Sequence, residues 1–239
     1  MRILAIETAT PLGSVALLEG EMVVREVAER VPQRHLEWLA PAIAGLLDAA
    51  GWRPGDVQGL AVSRGPGSFT GLRIGVATAA AWAHTRGVPV IGLSTLEVVA
   101  AGARGCGSGG VICPVLDARR GAVAFALFER NETMIRLLDD TIGPGHALFE
   151  RLPGAVPVTF AGDGVPRVLD AIRALPHAVV APEDAWDPRA AVLGRIAHGR
   201  LARGERDDPY LLHPVYARGA GITPSRWTRA ADGGEGTAR

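Results

Sequence analysis

The sequence predicts an α/β protein of two lobes, each opening on a β-meander. Residues 3–6, the polar turn 7–13, residues 14–18, Glu19-Gly20-Glu21 and residues 22–27 read as strand, acidic turn, strand, acidic turn, strand. The same order returns about 110 residues later: residues 111–116, the turn 117–121, residues 122–128, Glu129-Arg130-Asn131-Glu132, then 134–138. Between the copies, residues 102–110 hold five glycines and read as a linker. The expected lobes are therefore 1–105 and 106–218, with the last helix of the second lobe able to pack back on the first. Residues 219–239, dominated by Gly, Thr, Arg and Asp, are expected to form a largely disordered tail.

The elements follow in order. Glu7, Thr8 and Thr10 sit at the first turn, where they either grip a phosphate or do ordinary turn chemistry. Residues 34–50 carry Leu36, Leu39, Ala40, Ile43, Leu46, Leu47 and Ala50 at helical spacing, with Gly51 as the stop and Pro41 as a kink or a first-turn marker. Trp38, Ala42, Gly45 and Ala49 form a second apolar or small stripe on that helix, which calls for two neighbours.

Residues 57–63 read as a buried strand, followed by the breaking turn Gly65-Pro66-Gly67 and a helix over 70–82 capped by Ser68 or Thr70. Arg73 is the one charge in that helix, so it is buried nearly all round. Gly71, Gly75, Ala79 and Ala83 recur every four residues and leave one face almost bare backbone. Such a row permits close approach. What approaches is either the rest of a single-domain core or another chain.

Beyond it, residues 88–93 form a short strand and Ser94-Thr95-Leu96-Glu97 a capping box. In the second lobe, a strand over 156–160 delivers Ala161-Gly162-Asp163-Gly164 into a helix over 166–175. That glycine turn either holds a nucleotide or is simply tight. Residues 189–203 read as a helix with Val192, Ile196 and Ala197 as its apolar face, and Pro214-Val-Tyr216-Ala-Arg218 as the last ordered motif.

Composition narrows the function. Apolar residues make up 48% of the 239, without a run long enough to span a bilayer, and the chain enters a strand at once, which predicts a cytoplasmic protein. Lys plus Arg equals Asp plus Glu at 25 each, against autonomous binding of nucleic acid. Cys106 and Cys113 are too few for a zinc site, and none of the six histidines makes an i, i+4 pair. The glycine turn lacks the Gly-Lys-Ser/Thr of a P-loop, and Gly65, Gly67 and Gly71 are one residue too widely spaced for a dinucleotide fingerprint. No catalytic set and no metal site are expected.

Residues 65–75, Gly-Pro-Gly-Ser-Phe-Thr-Gly-Leu-Arg-Ile-Gly, resemble the signature of the TsaB (YeaZ) family, which takes part in bacterial synthesis of threonylcarbamoyladenosine at position 37 of tRNA. The likeness extends through residues 3–10, His35, Leu39-Ala-Pro41, Ile43, 94–97, 117–121, 162–164 and 214–218. It implies a two-lobed ASKHA fold, of the actin, Hsp70 and ribonuclease H kind. It also implies a non-catalytic subunit that binds and activates its paralogue TsaD and helps to recruit TsaE, with tRNA held only through the complex. No membrane partner is implied, and alone the chain should form a homodimer.

In TsaD a His-x-x-x-His pair holds a metal; aligned on residues 90–93, those positions are Thr95 and Val99 here. TsaB pairs with TsaD through helices of the first lobe, which puts Trp38, Ala42, Gly45, Gly71, Arg73, Ile74, Gly75, Thr78, Ala79 and Trp82 at the expected interface. The chain departs from the pattern with Ala122 and Ala124 where the family often has Glu and Tyr, and with Glu7 where ATP-hydrolysing relatives have Asp. No cofactor is therefore expected for the chain alone, with ATP or ADP admissible only within the complex. The competing reading is an ATP-dependent transferase or kinase using Glu7, Thr8, Asp117, Gly162, Asp163 and Gly164. A peptidase stands third, because no triad or activated cysteine is visible.

Overall fold

A computed structural model describes residues 1–107, 110–130, 134–154 and 156–216. The tail expectation and Arg218 fall outside these residues. Both meanders form. In the first, β1 (Arg2–Glu7), β2 (Leu12–Glu19) and β3 (Met22–Arg30) run antiparallel, with Ile3 opposite Leu18. After α1 (His35–Ala49), β4 (Gly59–Gly65) joins β1 in parallel; α2 (Phe69–Arg86) then leads to β5 (Val90–Ser94). The resulting five-stranded sheet has the order β3-β2-β1-β4-β5. The second meander is β6 (Val111–Asp117), β7 (Ala122–Glu129) and β8 (Ile135–Pro144). With β9 (Val158–Ala161) and β10 (Ala178–Val180) it gives the equivalent order β10-β9-β6-β7-β8.

Side-chain alternation along each strand decides the layers. Leu4, Ile6, Val15 and Leu17 face outward onto α1 and α2, whereas Ile3, Ala5, Ala16 and Leu18 face inward onto α6 (Ala190–Ala202). In the second sheet Val115, Val123 and Phe125 face outward onto α4 (Gly145–Phe149) and α5 (Leu169–Arg173). Ile112, Leu116, Ala124, Ala126 and Phe128 face inward onto α3 (Thr95–Gly102). The order through the molecule is thus helix pair, sheet, helix pair, sheet, helix pair.

Several elements differ from expectation. The glycine-motif helix runs four residues further, from Phe69 to Arg86, and ends on Gly87 in the left-handed region at φ 64°. Helix α1 continues through Pro41. The helix predicted over 166–175 is a 3-10 turn, Val165–Arg167, followed by the short α5, because Val168 at φ −127° interrupts the helical run. In α6 the buried face is Ala190, Leu193, Gly194 and Ala197, not Val192 and Ile196, which stay half-buried. The inner layer admits small residues because Gly194 lies directly on Leu18.

After α6 the chain returns along the first sheet as a strap. The Asp207 N–H donates to the Val90 carbonyl at 2.9 Å, and the Asp207 carboxylate accepts from the Gly92 N–H at 2.7 Å. Leu212 is buried in the outer core of the first sheet, and the Val215 N–H donates to the Arg64 carbonyl.

Candidate functional site

Two surfaces follow from this layering, an interlobe cleft and the outer face of α1 and α2. The cleft has a volume of about 750 Å³. The turn after β1 (Ala9–Pro11), residues 66–71 and the start of α1 form one wall; the β6–β7 turn with Asp163 forms the other, and Tyr216 also lines it.

Of the expected cleft residues, Asp117 and Asp163 line it. The Asp117 N–H donates to Asp163 at 2.9 Å, and Arg167 donates to the Asp117 carboxylate at 2.8 Å. Burial pushes the Asp117 carboxyl up, but hydrogen bonds from Arg167 and the Arg119 N–H, with the charges of both arginines, hold it below its usual range. Burial dominates at Asp163 and raises it, helped by the Asp117 charge. Arg119 and Arg120 enter the cleft from the same turn, both in the left-handed region at φ 66° and 52°.

Glu7, Thr8, Gly162 and Gly164 are not cleft groups. Glu7 is fully buried: it accepts from the Ala9 N–H at 2.7 Å and bonds the Ser63 hydroxyl. Burial raises its pKa to about 7 against the opposing hydrogen bonds from Ser63, Ala9 and Thr8. The Thr8 hydroxyl, also buried, donates to the Gly71 carbonyl at 2.8 Å. Gly162 and Gly164 are pressed on β6, where a Cβ would lie 2.2 Å from the Val115 oxygen and 2.7 Å from the Leu116 carbonyl carbon, respectively. These four residues pack behind the cleft and do not line it. His35 lines the cleft instead, a role its sequence position did not suggest; burial lowers its pKa against the carbonyl of Thr10.

The small stripe of α2 is turned inward. A Cβ on Gly71 would stand 2.1 Å from the Thr8 carbonyl oxygen, and one on Gly75 would stand 2.3 Å from the Thr8 hydroxyl. Ala79 is fully buried in the same core. These three expected interface residues therefore pack on their own chain. What approaches the bare face is strand β1 and its turn, not a second protein.

Along α2, Ile74, Thr78 and Trp82 are half-buried; Ile74 and Trp82 pack against the outer core, and Ile74 also lines the cleft. The Thr78 hydroxyl donates back to the Ile74 carbonyl at 2.7 Å. Beside them on α1 lie Ala42, half-buried, and Gly45, around which a Cβ would meet nothing within 4 Å. Trp38 is partly committed: its ring lies over Gly13, and its Nε1–H donates to Glu29 at 3.0 Å. Arg73 is drawn to the strap, where its Nε–H donates to the Tyr216 hydroxyl at 2.8 Å and its guanidinium lies 4.0 Å over the Phe69 ring.

Thr95 and Val99 are both fully buried in α3, Val99 in the apolar layer against the second sheet. Among the described residues no three His, Cys, Asp or Glu side chains gather as metal ligands, and no helix is long and apolar enough to cross a membrane. Burial pushes the Cys113 thiol well above its usual value, the opposite of an activated nucleophile.

The family model for TsaD, tRNA N6-adenosine threonylcarbamoyltransferase, matches residues 24–168. The chain belongs to the TsaD family. Within it, the likeness is to the TsaB (YeaZ) proteins. Over 135 residues the chain is 40% identical to the tRNA threonylcarbamoyladenosine biosynthesis protein TsaB of Escherichia coli K12 and 37% identical to that of Bacillus subtilis 168. Each alignment covers 56% of this chain and 58% of the relative, so the match spans little more than half of those proteins' length. The crystal structure of YeaZ from Pseudomonas aeruginosa superposes with a TM-score of 0.79 at 29% identity, covering 90% of this chain and 99% of that one. Component A of the Acidaminococcus fermentans (R)-2-hydroxyglutaryl-CoA dehydratase shares the two-lobed ASKHA fold, with a TM-score of 0.52 at 10% identity.

Proposed function

We propose that this chain is the non-catalytic subunit of a bacterial complex that makes N6-threonylcarbamoyladenosine at position 37 of tRNA. In this reading it binds and activates TsaD through the outer face of α1 and α2, helps to recruit TsaE, meets tRNA only through the complex, and works in the cytoplasm. Alone, the same face pairs with its own copy. The observation that carries the reading is that face: the half-buried Ala42, Ile74, Thr78 and Trp82 and the exposed Gly45 carry no charge and lie on two helices in contact. The likeness to TsaB and the match to the TsaD family model support TsaD as the partner in this reading. The replacement of both metal-ligand positions by Thr95 and Val99, each fully buried, supports a role without chemistry of its own.

The test is sedimentation of the chain alone and then mixed with TsaD of the same organism. A 1:1 complex should form at the expense of any homodimer. Gly45→Arg should abolish it while leaving the melting temperature within about 2 °C, because a Cβ there meets nothing within 4 Å; Thr78→Arg, at a half-buried position, should abolish it as well. Unchanged pairing in both variants would remove the interface. Binding or turnover of ATP by the isolated chain would favour the competing transferase or kinase reading, with Arg119 and Arg120 as the phosphate groups' partners.

A further inference from the structure

Helix α3 joins the lobes in a way the proposed function does not use. Its Val98 belongs to the core of the first sheet and α6, while Leu96, Val99, Ala100 and Ala103, at the end of the same helix, belong to the core of the second sheet. All five are fully buried. A helix that is apolar on opposite sides holds both sheets against itself. Apolar contact, however, is non-directional and does not by itself choose an angle between the lobes.

A chain of polar groups at the start of α3 supplies direction. The Ser94 hydroxyl donates to the Asp140 carboxylate at 2.6 Å and accepts from the Glu97 N–H at 3.4 Å. Asp140 pairs with Arg136 at 2.5 Å, Arg136 reaches Glu97 at 3.5 Å, and Glu97 accepts from Arg200 of α6 at 2.7 Å. The four charged side chains are 17–31% exposed, alternate in sign and sum to zero. Arg136 also lies 4.6 Å over the Phe128 ring. Arg136 and Asp140 come from β8 of the second lobe; Ser94, Glu97 and Arg200 come from β5, α3 and α6, on the side of the first. None of them lines the cleft.

We infer that α3 and the Ser94–Asp140–Arg136–Glu97 chain form an interlobe weld that fixes the aperture of the cleft. The apolar layer holds the lobes together, and the polar chain, whose bonds are directional, selects one angle between them. The cleft then keeps one shape whether or not a ligand is in it. Enzymes that transfer reactive groups close over them to exclude water; a cleft of fixed opening suits docking instead.

The experiment measures the distance distribution between spin labels on the two lobes. Labels at Glu21→Cys and Asp170→Cys, both exposed, with Cys106→Ser and dilution by unlabelled chain, report one intramolecular distance. The parent chain should give a single narrow peak that adding ATP does not move. The double variant Arg136→Met/Asp140→Ala, which deletes the second lobe's half of the polar chain without changing net charge, should broaden the peak at least twofold. Arg200→Met, which cuts only the link between α6 and α3, should leave it narrow. Circular dichroism checks that each variant is folded. A broad or ATP-sensitive peak in the parent, an unbroadened double variant, or equal broadening by Arg200→Met would overturn the inference; a double variant that fails to fold leaves the parent and Arg200→Met measurements to decide it.

Discussion

The first turns of the two meanders occupy equivalent places, yet they are chemically opposite. After β1, Glu7 is fully buried, with a pKa raised to about 7, and its bonds go to Ser63 and Ala9. After β6, Asp117 lines the cleft, is paired with Arg167, and has its pKa lowered. The first turn is clamped by α2: Ser68 donates its N–H to the Ala9 carbonyl at 2.7 Å, and Thr8 bonds to Gly71. Among the described residues no helix of comparable length bonds to the second turn, and its Asp117, Arg119 and Arg120 line the cleft. Duplication of a strand pattern therefore does not duplicate its chemistry. What packs on each turn decides whether a carboxyl becomes a structural proton carrier or a surface charge.

That contrast can be broken most severely at Gly71. On an exposed helix face Gly→Ala stabilises by about 1 kcal/mol, as we expect for Gly45→Ala, around which a Cβ would meet nothing. Gly71→Ala should instead destabilise by about 3 kcal/mol or more, since the new carbon would sit 2.1 Å from the Thr8 backbone oxygen. Opposite signs for the two substitutions in urea unfolding would establish which surface is internal; a stabilising Gly71→Ala would contradict the packing described here.

The Glu7 proton gives the next largest effect. Its pKa in the folded chain, about 7, exceeds the reference of 4.5, so folding favours the protonated form. The resulting stability is fully present below pH 4.5 and is lost as pH rises through 7. Glu7→Gln removes that loss, and at pH 8 it should be more stable than the parent by on the order of 3 kcal/mol. The two should converge near pH 4. Equal stability at both pH values would mean that Glu7 is not held neutral.

Asp117 has the opposite sign and a smaller size. Its lowered pKa contributes stability present above the reference of 3.8 and lost as pH falls through the folded value. Because about half of the Arg167 side chain is exposed to solvent, Asp117→Asn should lower the melting temperature at pH 7 by only about 1–2 °C. The difference should shrink further at high salt, which thermal scans at two ionic strengths would read directly.

Both meanders, the strand–turn–helix unit around Gly65-Pro66-Gly67 and the Ser94 cap were legible because each depends on local spacing and turn chemistry. The Ser68 cap forms as its position suggests, accepting from the Gly71 N–H at 3.3 Å. The direction of the α2 stripe was not legible. Small residues announce that something comes close, but a strand and a second helix call for the same glycines. Nor could Glu7 be told from Asp117 by sequence, since burial is set by β4 and α2, which meet it across more than fifty residues. The cleft position of His35 was hidden for the same reason: it begins a helix whose approach to the motif is fixed only in three dimensions.

The return of α6 and the strap to the first sheet has a consequence for how the chain is born. Residues 2–94 supply five strands and two helices of the first lobe, but α6 (Ala190–Ala202) covers its inner face and Leu212 completes its outer core. A ribosome moving in one direction delivers the whole second sheet, whose last strand ends at Val180, before either piece appears. The lobe begun first is finished last. Until then Ile3, Ala5, Leu18 and Ala61 have Val98 of α3 beside them but lack the cover that α6 supplies, a vulnerable interval that falls within synthesis itself.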